Sequence, residues 1–214
     1  MHESAKSRGP APPSRAATLA LVGTELAFDF TNTTSGRHGP RRREHLQAAG
    51  DVVAWAQHAK IIGKRRGEEL RGILARSPHL ARRLHASARE LRELLYVIGV
   101  ALAAGKPPPR GAVDRLAEVH AASLRFARLR RIAGIYAWTW DAAARPTEAI
   151  LGPIALSAVS LLSEAELSRV KQCGGADCGW LFFDTTKNKS RRWCEMEVCG
   201  NRAKQKRLRQ RKAR

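Results

Sequence analysis

Four cysteines near the end of the chain constrain its fold more than any other feature of the sequence. They are Cys173, Cys178, Cys194 and Cys199, with the spacing C-x4-C-x15-C-x4-C. Two close pairs separated by a longer loop can supply four thiolates to one tetrahedral metal ion. Because four thiolates leave no coordination position for water, the pattern predicts a single structural Zn²⁺ and not a catalytic one.

Two other states of these cysteines are compatible with the spacing, namely two disulfides or four reduced thiols in a small core. Disulfides would suit a secreted protein, but residues 1–18 are polar and proline-rich and lack the apolar segment of a signal peptide. We therefore expect a cytoplasmic protein with reduced cysteines, which favours the metal. Residues 180–183 and 191–193 are predicted as the two short strands of a hairpin, followed by a helix, in a treble-clef-like arrangement.

The charge of the chain points to its partner. There are 39 Lys and Arg residues against 19 Asp and Glu, a formal net charge of +20, which implies a polyanionic partner. The excess is concentrated at the end, since residues 173–214 hold 12 basic and 4 acidic residues. The basic segment that follows Cys199 has no apolar face with which to enter lipid, so the sequence indicates nucleic acid and not a membrane.

The segment after Cys199 is predicted to be a helix, because it consists of good helix formers and has no helix breaker. Side chains inside or beside the zinc module are candidates for contacts with base edges. These are Arg191, Arg192, Asn201 and Arg202. Side chains farther along are candidates for phosphate contacts. These are Lys204, Lys206, Arg207, Arg209, Arg211 and Lys212. Asn201 and Arg202 could instead cap the finger's own backbone, and Trp180 and Trp193 are expected in its core.

Three segments of this region resemble, in order, the CGNR zinc finger family. They are CGWLF beginning at Cys178, RRWC ending at Cys194, and CGNRAK beginning at Cys199. The resemblance implies a zinc finger whose four cysteines hold the metal.

The N-terminal part of the chain resembles the ABATE domain, the usual partner of that finger. The matching segments are LVGTELAFDFTNT at 21–33, ARELRELLY at 88–96, three prolines at 107–109 and YAWTW at 136–140. Such proteins are bacterial and are described as stress-induced transcription regulators. The resemblance therefore implies a regulatory domain joined to a nucleic-acid-binding finger.

Three regions follow from these patterns. Residues 1–18 are predicted to be a disordered tail, residues 19–165 a mainly helical, ABATE-like regulatory domain, and residues 166–214 the finger with its basic helix. The predicted fold class is mostly α, with a small β hairpin or sheet.

Within the N-terminal domain the clearest predicted helix begins at Ser77-Pro78 and carries apolar residues at steps of three and four as far as Leu102. Residues 19–30 and 132–140 are predicted as strands. Residues 163–166 are predicted as the capping box of a last helix that leads to the finger.

The sequence contains no Walker loop, no nucleophile elbow and no metal-spaced histidine pair, so we do not expect an enzyme. Asp29 and Asn32 are weak candidates for lining a ligand pocket, although a turn-forming role also fits. The prediction is a zinc-dependent protein that binds double-stranded DNA and regulates transcription, with an N-terminal domain that senses a small apolar ligand or forms a homodimer. An RNA-binding or ribosome-associated factor and a zinc module for protein contacts stay open as alternatives.

Overall fold

The computed structural model describes residues 14–212 and is mostly helical, as predicted. Its α-helices are α1 Leu26–Thr31, α2 Ala49–His58, α3 Lys64–Arg76, α4 Pro78–Ala103, α5 Arg110–Leu124, α6 Pro146–Glu164 and α7 Asn201–Lys212. Three antiparallel strand pairs join β1 Thr34–Ser35 with β2 Arg43–Glu44, β3 Ala127–Ile132 with β4 Ile135–Trp140, and β5 Val170–Gln172 with β6 Leu181–Phe183.

Helix α4 lies at the centre of the molecule and confirms the clearest helix prediction. It begins at Pro78, whose missing N–H costs nothing in the first turn. Its buried residues, among them Leu84, Leu91 and Leu95, recur at helical spacing. The other helices of the domain, α1, α2, α3, α5 and α6, all pack against this helix. The apolar residues that make this helix predictable from the sequence are therefore the ones around which the main core forms.

Helix α6 is the most apolar helix and belongs to the core. By length and composition Pro146–Glu164 could cross a membrane, but 56% of that segment is buried inside the fold. It packs against α1, α4 and α5. Pro153 lies inside the helix without ending it. The position of α6 is therefore that of a central helix of a globular domain.

The strand predicted over residues 19–30 is wrong, because Leu26–Thr31 forms helix α1. Phe28 and Phe30 are both buried, at 3% and 0% exposure, and the helix packs between α4 and α6. So short a helix is marginal by itself and depends on this packing. Tertiary burial therefore overrides the apparent alternation of apolar residues.

Two further element predictions need correction. The strand predicted over residues 132–140 begins only at Ile135, because Ala133 and Gly134 have φ values of 49° and 90° and form the turn of the β3–β4 hairpin. The capping box predicted at residues 163–166 does not open a helix. Ser163 belongs to the last turn of α6 and its Oγ donates to the carbonyl of Val159.

The predicted disordered tail ends earlier than expected. Residues 1–13 lie outside the described part of the chain, but residues 14–18 are packed. The Oγ atom of Ser14 donates to the carbonyl of His45 at 2.8 Å, and Ala16 is 2% exposed in a short helical turn against α2. These contacts, which the composition of the segment does not reveal, order its end.

Candidate metal centre and basic helix

The four cysteine sulfurs form one cluster. All four lie within 4.8 Å of one another, with Cys178 to Cys194 at 3.7 Å and Cys194 to Cys199 at 3.6 Å. A disulfide would bring two sulfurs to about 2.05 Å, so these thiols are not paired covalently. A Zn–S distance of about 2.3 Å gives tetrahedron edges of about 3.8 Å. The cluster therefore fits one structural zinc ion.

The close approach of the sulfurs shifts the pKa values of Cys173 and Cys194 in opposite directions. Hydrogen bonds from Cys178, Cys194 and Cys199 lower the pKa of Cys173, because they stabilise its thiolate. Hydrogen bonds with Cys173, Cys178 and Cys199 hold a proton on Cys194 and raise its pKa. Four crowded thiols cannot all ionise without a cation among them, which is the condition that Zn²⁺ satisfies when it binds.

Two short segments bring the cysteines together. Strand β5 leads directly into Cys173, whose N–H donates to the carbonyl of Trp180 at 2.8 Å. Gly175 leaves room for the sulfurs, because a Cβ there would lie 3.3 Å from the sulfur of Cys199. The second strand predicted at residues 191–193 is wrong. The partner of β6 is β5, on the other side of the first cysteine pair, in register from Val170↔Phe183 to Gln172↔Leu181.

The finger is built into the N-terminal domain through β6. Leu181 is 0% exposed and belongs to the main core, whereas its neighbour Phe182, also 0% exposed, packs on the cysteines. The indole nitrogen of Trp180 donates to the carbonyl of Thr34 at 2.9 Å. This confirms that Trp180 is a packing residue of the finger. It also shows that the two regions share one continuous interior.

Asn32, predicted as a pocket residue, lies at this junction. Its side-chain amide donates to the carbonyl of Leu181 at 2.9 Å and accepts from the N–H of Leu181 at 3.0 Å. It is 2% exposed. Asn32 therefore completes the hydrogen bonding of β6 as a further strand would. Two surface cavities in the described part of the chain, one lined by Lys60 and the other by Trp193, include neither Asn32 nor Asp29 among their lining residues.

Asp29 binds its own loop, where it accepts from the N–H of Gly23 at 2.7 Å. Burial raises the pKa of Asp29 to about 6, although the bond from Gly23 and the charge of Arg191 partly oppose the shift. Because the folded pKa lies above the ordinary value, ionisation costs stability. The contribution of Asp29 to the free energy of unfolding is therefore greatest at low pH, and it declines as the pH rises toward and through 6.

We expect Asp29→Asn to stabilise the protein by about 1–3 kcal/mol at pH 7.5 and by less at pH 5, because the amide keeps the Gly23 bond without a buried charge. Urea unfolding of both proteins between pH 5 and 7.5, with zinc present, measures the difference. A difference that is constant across this range would contradict the assignment.

The arginine-rich loop between β1 and β2 holds the first cysteine pair, a role that no motif in the sequence predicts. The N–H of Arg37 donates to the carbonyl of Cys178 at 3.1 Å. Its guanidinium binds Glu93 at 2.8 Å and lies over the ring of Tyr96 at 3.8 Å. Gly179, at φ 72°, allows the chain to pass closely beside Arg37. Only the density of arginines in the loop could have marked it.

The predicted base-contacting residues have different surroundings. The guanidinium of Arg191 donates to the carbonyls of Val22 and Cys194 at 2.8 Å and 2.6 Å and lies over the ring of Phe182. Arg191 is therefore engaged within the fold. Arg192 is exposed. Asn201 donates to the carbonyl of Glu197 at 3.0 Å, which is the backbone-capping role considered as its alternative.

Helix α7 projects the remaining basic side chains into solvent. A five-residue π-helical turn, Met196–Gly200, contains Cys199 and continues directly into Asn201. None of the residues of α7 is buried. The predicted phosphate contacts, together with Arg202, all lie on it and are all exposed. None of these cations pairs with an acidic residue in the described part of the chain.

Two family models match the chain. Residues 24–165 match the ABATE model, described as "Putative stress-induced transcription regulator". Residues 169–212 match the CGNR zinc finger model. Neither description names an enzyme, and together they suit a zinc-binding regulatory protein. No curated protein matches the chain.

Proposed function

The chain belongs to the ABATE family and ends in a CGNR zinc finger, and from this premise we propose that it is a cytoplasmic regulator of transcription that binds double-stranded DNA through α7. The observation that carries the proposal is the distribution of charge on this helix. At 100° per residue six of its seven cations form two stripes on opposite sides, and Lys212 lies between them. One stripe contains Arg202, Lys206 and Arg209, and the other contains Lys204, Arg207 and Arg211.

Two opposite basic stripes suit the major groove of B-DNA. The groove is about 12 Å wide and admits one α-helix, whose diameter with side chains is about 10–12 Å. A helix lying in it has a phosphate backbone on each side. The deep and narrow major groove of A-form RNA does not admit a helix in this way. The charge pattern therefore favours duplex DNA over duplex RNA.

The zinc centre and the shared core would give this helix a fixed direction. Cys199 lies one helical turn before the first cations, and β6 anchors the other side of the metal centre in the N-terminal domain. We infer that the N-terminal domain orients the finger. A small apolar ligand or a second copy that altered the packing around α4 would thereby act on DNA binding.

We expect affinity for a labelled DNA duplex to fall with salt, with a slope of log K against log salt of about −4 to −7. Neutralising Lys204, Lys206, Arg207 and Arg209 to Gln should make the slope shallower by about 3–4, because each phosphate contact contributes about 0.9. Fluorescence anisotropy over a salt series measures both slopes.

The matched control removes four exposed cations from the N-terminal domain, at Lys64, Arg65, Arg82 and Lys106, and leaves the total charge equal to that of the α7 variant. Its slope should stay near that of the unmodified protein. If the slope became equally shallow in the two variants, total charge alone would account for the salt dependence, and α7 would be rejected as the binding element. Tighter binding of a structured RNA at equal salt would reassign the partner.

A further inference from the structure

The β3–β4 hairpin carries an unusual group of exposed aromatic and basic residues that has no part in the function proposed for α7. Tyr136 is 69% exposed and Trp138 is 44% exposed. On β3, Leu129 is 54% exposed. Exposed large apolar side chains that are adjacent on one surface mark an interaction site more often than isolated ones do.

The strand register places the aromatic residues on one face. Leu129 is paired with Trp138, and Arg131 with Tyr136. The same face continues to Trp140, whose indole nitrogen donates to the carbonyl of Ser123 at 2.9 Å. Alternate residues of an antiparallel strand lie about 6.8 Å apart. The rings of Tyr136 and Trp138 thus lie side by side on a face that runs from the core into solvent.

The charge of the hairpin identifies the chemistry of its occupant. Residues 119–140 contain four arginines and no acidic residue. Within residues 14–212, the side chains of Arg130 and Arg131 form no hydrogen bond and no ion pair. A second copy of this chain placed hairpin against hairpin would double an uncompensated positive charge. An anionic partner that also offers flat rings would satisfy both features.

We propose that the β3–β4 hairpin binds unpaired nucleotides, with Tyr136 and Trp138 stacking on bases while Arg131, which lies on the same face, contacts phosphates. Base stacking on exposed aromatic rings is tolerant of sequence and needs bases that are free of a duplex. The site is distinct from α7 and does not depend on the function proposed for that helix.

The test compares two single-stranded probes that carry the same charge, a labelled 12-nucleotide oligo-dT and an abasic oligonucleotide of equal length, on the zinc-loaded full chain. We expect oligo-dT to bind about tenfold or more tightly, because only it has bases to stack. Combining Tyr136→Leu with Trp138→Leu should abolish this preference, since leucine keeps the apolar surface and loses the rings.

Combining Tyr136→Phe with Trp138→Phe is the conservative control and should retain most of the preference. Thermal unfolding checks that all variants fold, and duplex binding through α7 should change by less than about twofold in them. Equal affinity of the unmodified protein for the two probes, or retention of the preference in the leucine variant, would overturn the proposal. So would a dimer in sedimentation that the leucine variant abolishes, if no preference for oligo-dT is seen.

Discussion

Replacing Cys199 with serine should abolish zinc binding and destabilise the N-terminal domain together with the finger. The free energy of zinc binding in small fingers is about 10–16 kcal/mol and is coupled to folding. Here Phe182 packs on the cysteines while Leu181 packs in the main core, and both are 0% exposed. Loss of the metal should therefore release β6 and open part of that core.

The expected result is about one zinc per chain in the unmodified protein, none in Cys199→Ser, and a fall in Tm of at least about 10 °C, corresponding to a loss of a few kcal/mol in a chain of this size. Amide hydrogen exchange should show lost protection in α1 and around Gly99 of α4. A Cβ at Gly99 would lie 2.5 Å from the Cδ1 of Leu181, so this part of α4 is where the finger docks.

Met196→Ala provides the matched control, because Met196 is in the same turn as Cys199 but is 62% exposed and is not in the cluster. It should keep its zinc and its Tm. A chelator should reproduce the effect of Cys199→Ser on the unmodified protein, and added zinc should reverse it. Loss of zinc with unchanged protection in α1 would mean that the finger folds independently.

The parts of this fold that the sequence predicts are those with a local signal. The spacing of four cysteines predicts their cluster, and the periodicity from Pro78 to Leu102 predicts α4, because each pattern reflects its own segment. The basic helix α7 is predicted in the same way. Its residues have high helix propensity and require no buried partner.

The parts that the sequence does not predict depend on distant contacts. Strand β3 has no alternation, since five of its six residues are exposed, and it exists because a tight turn pairs it with β4. Helix α1 looks like a strand until its packing between α4 and α6 is known. Asn32 and Leu181 are 149 residues apart, so no local pattern can reveal their contact.

Removing the Asn32 amide should lower the stability of the protein without changing its zinc content. We expect Asn32→Leu to destabilise the protein by about 3–5 kcal/mol, because it leaves a buried N–H and a buried carbonyl of Leu181 without partners at about 1–3 kcal/mol each. All four cysteines remain, so zinc content should stay at about one per chain. Urea unfolding and metal analysis of the same samples test both parts.

Thr31→Val is the matched control, since Thr31 is adjacent, 0% exposed and donates to the carbonyl of Phe28 at 2.8 Å, with a longer contact of 3.5 Å to the Oδ1 of Asn32. Thr31→Val should lower the free energy of unfolding by only about 1 kcal/mol. The carbonyl of Phe28 keeps a partner in this variant, because it also accepts from the N–H of Asn32. Equal effects of the two substitutions would show that any polar group lost at this depth is equivalent. A much larger effect of Asn32→Leu with zinc retained would instead show that this one amide, and not the metal alone, joins the finger to the N-terminal domain.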